Sequence, residues 1–120
     1  KSDSLQRRLL TDGELPIEAH NLESARMLRD AGPWGQGFPE PVFDGRFRVI
    51  QQRLVGEKHL KMVLSADGGV TLIDAIAFNV DTGKWPDASI REVSAVYRLD
   101  VNEFRGVSQA QLLVLHLEPV

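Results

Sequence analysis

Cysteine is absent from this sequence. That excludes disulfide staples and thiolate metal sites, and it matches the usage of a reducing compartment, so a cytoplasmic setting is expected. Histidine is scarce: His20, His59 and His116 are scattered, without the spacing of a metal-ligand set. No apolar run approaches the roughly 20 residues that a membrane-spanning helix needs, and no leader pattern is found, so no membrane partner is expected. The net charge of −3 lacks the basic excess of a generic nucleic-acid binder. Lys1 rather than Met stands first, and the chain is expected to be a piece of something longer.

What is present fits one ordinary globular domain. The 120 residues suffice for a single modest core, and 42% apolar with 26% charged residues is an everyday balance. The charge is unevenly spread. Residues 46–61 hold Arg46, Arg48, Arg53, Lys58 and Lys61 against Glu57, a net of +4, which leaves −7 on the other 104 residues. A local basic strip of this kind can dominate binding whatever the total charge.

Residues 1–20 show little periodicity and read as an extended N-terminal segment. From Asn21 the pattern becomes helical: Asn21 is a candidate N-cap, Leu22, Ala25 and Leu28 share a face, and Gly32 with Pro33 ends the run. "GPWGQGFPEP", residues 32–41, then packs three glycines, three prolines, Trp34 and Phe38 into ten positions. Proline stiffens a chain and glycine permits sharp turns, so this stretch predicts a rigid connector with Trp34 and Phe38 as wedges between domains.

Beyond it the periodicity is that of strands. The first run, residues 43–55, changes parity: Phe47 and Val49 are apolar on odd positions, Ile50 and Leu54 on even ones. A slip of this kind predicts a β-bulge or sharp coil. "GEK" turns into residues 59–66, where Leu60, Met62 and Leu64 face opposite to His59 and Lys61. "DGG" predicts a hairpin into residues 70–79. Residues 90–100 form a fourth run, "VNEFRGVS" reads as a loop, and residues 110–118 form a fifth run that is apolar on both faces and is expected to be central or covered. One long bent strand and four shorter ones predict a mainly β fold, a five-stranded OB-fold barrel preceded by the helix; an SH3-like barrel and a small sandwich are the alternatives. The expected division is 1–20 N-terminal segment, 21–42 helix and connector, and 43–120 barrel.

The residues themselves carry a likeness. "AGPWGQGFPEPVFDGRFRV", followed by "QQRLVGEKHLK", "DAIAFNVD", "YRLDVNEFRG" and the closing "LEP", closely resembles the C-terminal part of the RecJ family of bacterial 5′→3′ single-strand-specific DNA exonucleases. The likeness runs from about Gly13 to Val120. It implies an OB domain that grips single-stranded DNA for a nuclease acting in repair and recombination. The chemistry of that family belongs to a DHH domain and its companion, with Mn²⁺ or Mg²⁺ held by aspartates and histidines. This sequence has no Asp-His-His triplet and no GGGH-like segment, so no catalytic residue, metal or cofactor is assigned to it. The 120-residue chain alone is not expected to be an enzyme. The catalytic domains of its parent chain are expected partners.

Single-strand binding needs cations for phosphates and flat groups for bases. The DNA-binding candidates are accordingly Arg46, Arg48, Arg53, Lys58, His59 and Lys61 on the first two strands and their turn. Trp85 beside Lys84, and Phe104 beside Arg105, are the loop aromatics. Phe47, Phe78 and Tyr97 alternate with polar neighbours and read as core, and Asp74 as a hydrogen-bonded structural carboxylate. A second class of function, docking of the acidic tail of single-strand-binding protein, would use the same arginines beside an apolar pocket. "DTG" at Asp81–Gly83 is the triplet of aspartic proteases, but Lys84, Trp85 and Pro86 follow it, which does not suit a tight buried catalytic turn.

Overall fold

The computed structural model describes residues 15–31 and 40–120. The connector wedges Trp34 and Phe38 lie outside the described residues. Within them the order is a single 3-10 turn (Ile17–Ala19), helix α1 (Leu22–Asp30) and strands β1 (Phe43–Val55), β2 (His59–Ser65), β3 (Ile73–Ala77), β4 (Glu92–Phe104) and β5 (Val107–Pro119). The strands close into a barrel in the order β1-β2-β3-β5-β4, with β3 and β5 parallel and every other pair antiparallel. This is the five-stranded closed architecture expected of an OB fold, and closure leaves no open edge.

α1 starts where Asn21 accepts a 2.9 Å hydrogen bond from the Ser24 amide, the side-chain cap that its sequence predicts. Its buried face, Ser24, Ala25 and Leu28, packs on β4 and β5. Residues 15–20 are part of the same body: Leu15 and Ala19 are buried in the core. A 3-10 turn of three residues is too short to show as periodicity, which is why this packing is not legible in the sequence.

β1 serves two partners, pairing with β4 over Phe43–Arg48 and with β2 over Arg48–Val55. The register slips between Val49 and Gln51, leaving Ile50 as the extra residue, the bulge that the parity change predicts. The bend lets one strand pass from one wall of the barrel to the other. Two expectations need correction. "VNEFRGVS" is no loop: β4 and β5 run through it as a hairpin, turning at Arg105 and Gly106, both at positive φ (52° and 78°), as a two-residue turn requires. Conversely, β3 spans only Ile73–Ala77, because Asp67 folds the preceding residues into a wider turn, accepting from Ser65 Oγ (2.7 Å) and the Thr71 amide (2.8 Å). Of the two alternatives for β5, the first holds: it is central, between β3 and β4, and its outer face stays open at Leu115, which is 48% exposed.

The core is filled by Phe43, Phe47, Leu60, Met62, Leu64, Val93, Tyr97 and Leu112. Phe43, Phe47 and Tyr97 meet ring to ring, and His20 sits edge-on to Phe47 at 5.7 Å. His20 Nδ1 lies 3.1 Å from the Ile17 carbonyl and Nε2 2.7 Å from the Tyr97 hydroxyl. A carbonyl only accepts, so Nδ1 carries the hydrogen; in the neutral ring Nε2 then accepts from Tyr97. Burial lowers the His20 pKa and, with Asp44 as a lesser cause, raises that of Tyr97.

Candidate nucleic-acid interface

Alternation along each strand decides what the barrel shows to solvent. With Leu60, Met62 and Leu64 buried, β2 turns His59, Lys61 and Val63 outward; with Ile73, Ala75 and Ala77 buried, β3 turns out Asp74 and Ile76. The registers line these up into two rows around the barrel. One row reads Arg53, Lys61, Ile76, Leu113, Arg98, and its neighbour reads Gln51, Val63, Asp74, Gln111, Asp100. Arg53 and Lys61 are thus direct cross-strand neighbours, a like-charged pair, and Lys61 in turn lies beside apolar Ile76.

Above the β3 and β5 parts of these rows lies a groove of about 500 Å³, lined by Lys61, Asp74, Ile76, Phe78, Asp100, Asn102, Phe104, Gln109, Gln111 and Leu113. It lies over the outer faces of β3, β5 and the far half of β4, with Lys61 of β2 at one rim and the β4–β5 turn at the other. Two exposed rings flank it, Phe78 (53%) and Phe104 (65%). The Arg105 guanidinium sits 5.1 Å from the Phe104 ring centre, a cation–π pair at the hairpin tip. Phe78 meets His59 edge-on at 5.0 Å, and His59 Nδ1 accepts from the Asn79 amide at 3.2 Å. Asp74 is half-buried, and no hydrogen bond or ion pair holds its carboxylate among the described residues.

The remaining predicted cations are elsewhere. Arg46 and Arg48 project from β1 opposite buried Phe47 into a separate cleft of about 370 Å³, together with Arg91, Glu92, Ser65, Ala66 and Gly68. Arg48 donates to the Gly68 carbonyl at 3.4 Å. The Arg91 carbonyl accepts from the Val49 amide at 2.8 Å, which holds this residue beside β1. Arg91 was not a candidate in the sequence, since it lies 43 positions beyond Arg48 and only strand pairing brings the two together. The basic strip is therefore two patches, Arg46–Arg48–Arg91 on one side of the Ile50 bulge and Arg53–Lys61 on the other. Lys58, in the β1–β2 turn, is exposed and lines neither cleft.

Two aromatics exchange places relative to expectation. Trp85 is only 6% exposed, packed into the core from the loop that crosses from β3 to β4, so its ring is not offered to a base. Asp81, whose carbonyl accepts from the Lys84 and Trp85 amides, and the Gln52 carboxamide, which pairs with the Asp87 backbone at 2.8 and 3.0 Å, fold that loop down. Phe78, expected inside, is outside, because β3 is apolar on both faces and the small Ala75 and Ala77 are the ones turned inward. Phe47 (2% exposed) and Tyr97 (1%) are core as expected. Asp81 is exposed and its carboxylate accepts the Gly83 amide at 2.9 Å, which makes "DTG" a turn.

Comparison with known proteins gives this barrel relatives. A family model described as the RecJ OB domain matches residues 11–116. The chain is 58% identical over 119 residues to the single-stranded-DNA-specific exonuclease RecJ of Dickeya dadantii, covering 99% of this chain and 21% of that protein. It is 53% identical over 116 residues to the RecJ of Escherichia coli, covering 97% of this chain and 20% of that one. The chain thus spans about a fifth of the length of the curated relatives it matches. Among solved structures, RecJ of Thermus thermophilus in complex with Mn²⁺ superposes with a TM-score of 0.65 at 24% identity, over 89% of this chain and 15% of that one. The Mg²⁺ complex gives 0.64 at 22%, over 89% and 16%. At such identity these two show a shared fold.

Proposed function

Because the chain belongs to the RecJ OB-domain family, we propose that it binds single-stranded DNA for a RecJ-like 5′→3′ exonuclease of DNA repair and recombination, guiding the strand toward the nuclease. The observation that carries this reading is the groove over β3, β5 and β4, where a cation and exposed rings stand side by side: Lys61 at its rim with Arg53 next to it, and Phe78 and Phe104 at the groove's flanks. Phosphates need the former and bases the latter, and stacking on such rings is worth on the order of 1–3 kcal/mol per base. The groove's β2–β3 rim and the β4–β5 turn that bounds it belong to the region where OB barrels take oligonucleotides.

In this reading the barrel, residues 43–120, is the strand grip. Residues 1–20 and the helix with its connector, 21–42, join it to catalytic domains of the same parent chain. The setting is the bacterial cytoplasm; the relatives are bacterial, and among the described residues no helix is long and apolar enough to cross a membrane. The Thermus relatives were crystallised with Mg²⁺ and Mn²⁺. The residues described here do not fit such an ion, because no three His, Asp or Glu side chains gather in one place. Hydrolysis is assigned to the parent's nuclease domain.

A second reading draws on the arginine cleft. Arg46, Arg48 and Arg91 have no carboxylate partner within ion-pair distance among the described residues, and the acidic tail of single-strand-binding protein would suit them. Two charge-reversal pairs separate the readings. Arg53→Glu with Lys61→Glu is expected to weaken oligonucleotide binding at least about tenfold at low salt, with an unchanged melting curve. Binding as tight as the parent's would sink the groove reading. If Arg46→Glu with Arg48→Glu leaves DNA binding alone but abolishes binding of a tail peptide, the cleft belongs to the protein partner.

A further inference from the structure

Resting on the groove reading, we propose that this groove distinguishes bases, taking amino-bearing ones such as cytosine in preference to thymine through the carboxylates of Asp74 and Asp100. The argument starts from how charge is sorted across the barrel wall. In the row Arg53, Lys61, Ile76, Leu113, Arg98 the cations without an ion-pair partner among the described residues are those of β1 and β2, since Arg98 on β4 lies 3.8 Å from the Glu40 carboxylate. The neighbouring row presents Asp74, Gln111 and Asp100 on β3, β5 and β4. A strand crossing this surface has one favourable orientation. Its phosphates run over Arg53 and Lys61, and its bases turn toward β3 and β5, because the reverse would set phosphates against two carboxylates.

Bases so placed lie on Ile76 and Leu113 between the rings of Phe78 and Phe104, with their polar edges toward Asp74, Gln111 and Asp100. An ionised carboxylate only accepts hydrogen bonds. Cytosine offers it an exocyclic amino group, the donor that aspartate reads in base recognition. Thymine offers a carbonyl in that position, and its one ring N–H is flanked by two carbonyl oxygens that repel an acceptor. Asp74 is free to serve, since no group among the described residues engages its carboxylate. Asp100 uses one oxygen on the Val101 amide at 2.8 Å and keeps the other.

The test compares oligo(dC) with oligo(dT) of equal length, two pyrimidine strands, by fluorescence anisotropy at neutral pH and low salt on the 120-residue chain. The parent is expected to favour oligo(dC) about fivefold, the worth of roughly one hydrogen bond. In Asp74→Asn with Asp100→Asn the ratio is expected to fall to near unity, because a carboxamide both donates and accepts. The ratio is read rather than either affinity, since deleting two negative charges strengthens binding of any strand. Both side chains lie on the outer surface, so the variant keeps the fold, checked by its melting curve. Equal binding of the two strands by the parent, or an unchanged ratio in the variant, overturns the base preference and leaves the groove reading standing. Binding of neither strand overturns both.

Discussion

His20 ties the N-terminal turn to the barrel, holding the Ile17 carbonyl with one nitrogen and the Tyr97 hydroxyl with the other. The neutral ring satisfies both partners; a proton on Nε2 would make that nitrogen a donor, and the Tyr97 hydroxyl would have to turn its hydrogen away and accept instead. Burial lowers its pKa below the ordinary 6.5, so the unfolded chain takes up the proton first as pH falls. Stability is therefore complete above that value and declines below it until the folded ring titrates too. The urea midpoint is expected to drop between about pH 7.5 and 5.5, and to drop less in His20→Gln. Equal slopes for the two proteins would show that His20 is not the titrating group. Tyr97→Phe leaves Nε2 without its donor and is expected to cost about 1–3 kcal/mol of unfolding free energy in the same assay. None of this was legible in the sequence: 77 positions separate the two residues, and His20 lies in a stretch without periodicity.

At the scale of elements, the β4–β5 hairpin joins stability to function. Arg105 sits at φ 52°, a left-handed conformation that disfavours residues with a Cβ but that asparagine tolerates, and Asn-Gly is the favoured pair for this turn. Arg105→Asn is expected to raise stability by on the order of 0.5 kcal/mol while weakening oligonucleotide binding, because it deletes the cation over Phe104. A variant that gains stability and binds DNA as before would remove Arg105 from the interface. The hairpin was misread as a loop because its two flanks, "VNEF" and "VSQA", are too polar to alternate visibly, and because both extend beyond the barrel's other strands. The Ile50 bulge and the Asn21 cap were legible, since each leaves its own mark on a few adjacent residues: a parity slip in one case, an Asn three positions ahead of the capped amide in the other. The burial of Trp85 and the exposure of Phe78 were not, because loop course and the choice between two apolar faces are settled by tertiary packing.

For the whole molecule, a net charge of −3 means that binding must be local and sensitive to salt. If three to five phosphates are neutralised, the log–log salt slope on single strands should be roughly −2 to −3.5. A slope near zero in an anisotropy titration would mean that phosphate contacts do not carry the affinity. The chain alone is expected to cleave no DNA in Mn²⁺ or Mg²⁺, since the described residues bring no metal-ligand cluster together; nuclease activity that persists through purification would contradict the assignment of chemistry to a separate domain. Rows of outward side chains from four or five strands make the interface, and that is why the basic strip was visible in the sequence while its division into two patches, and the arrival of Arg91, were not. The central claim is that a DNA strand lies along the groove over β3, β5 and β4, beside Lys61. Mapping backbone amide shifts of the isotope-labelled chain during titration with a short single-stranded oligonucleotide tests it most directly. The account predicts the largest shifts at Lys61, Asp74, Ile76, Phe78 and Phe104–Gly106; shifts confined to α1 and the Trp85 loop, with this groove silent, would contradict it.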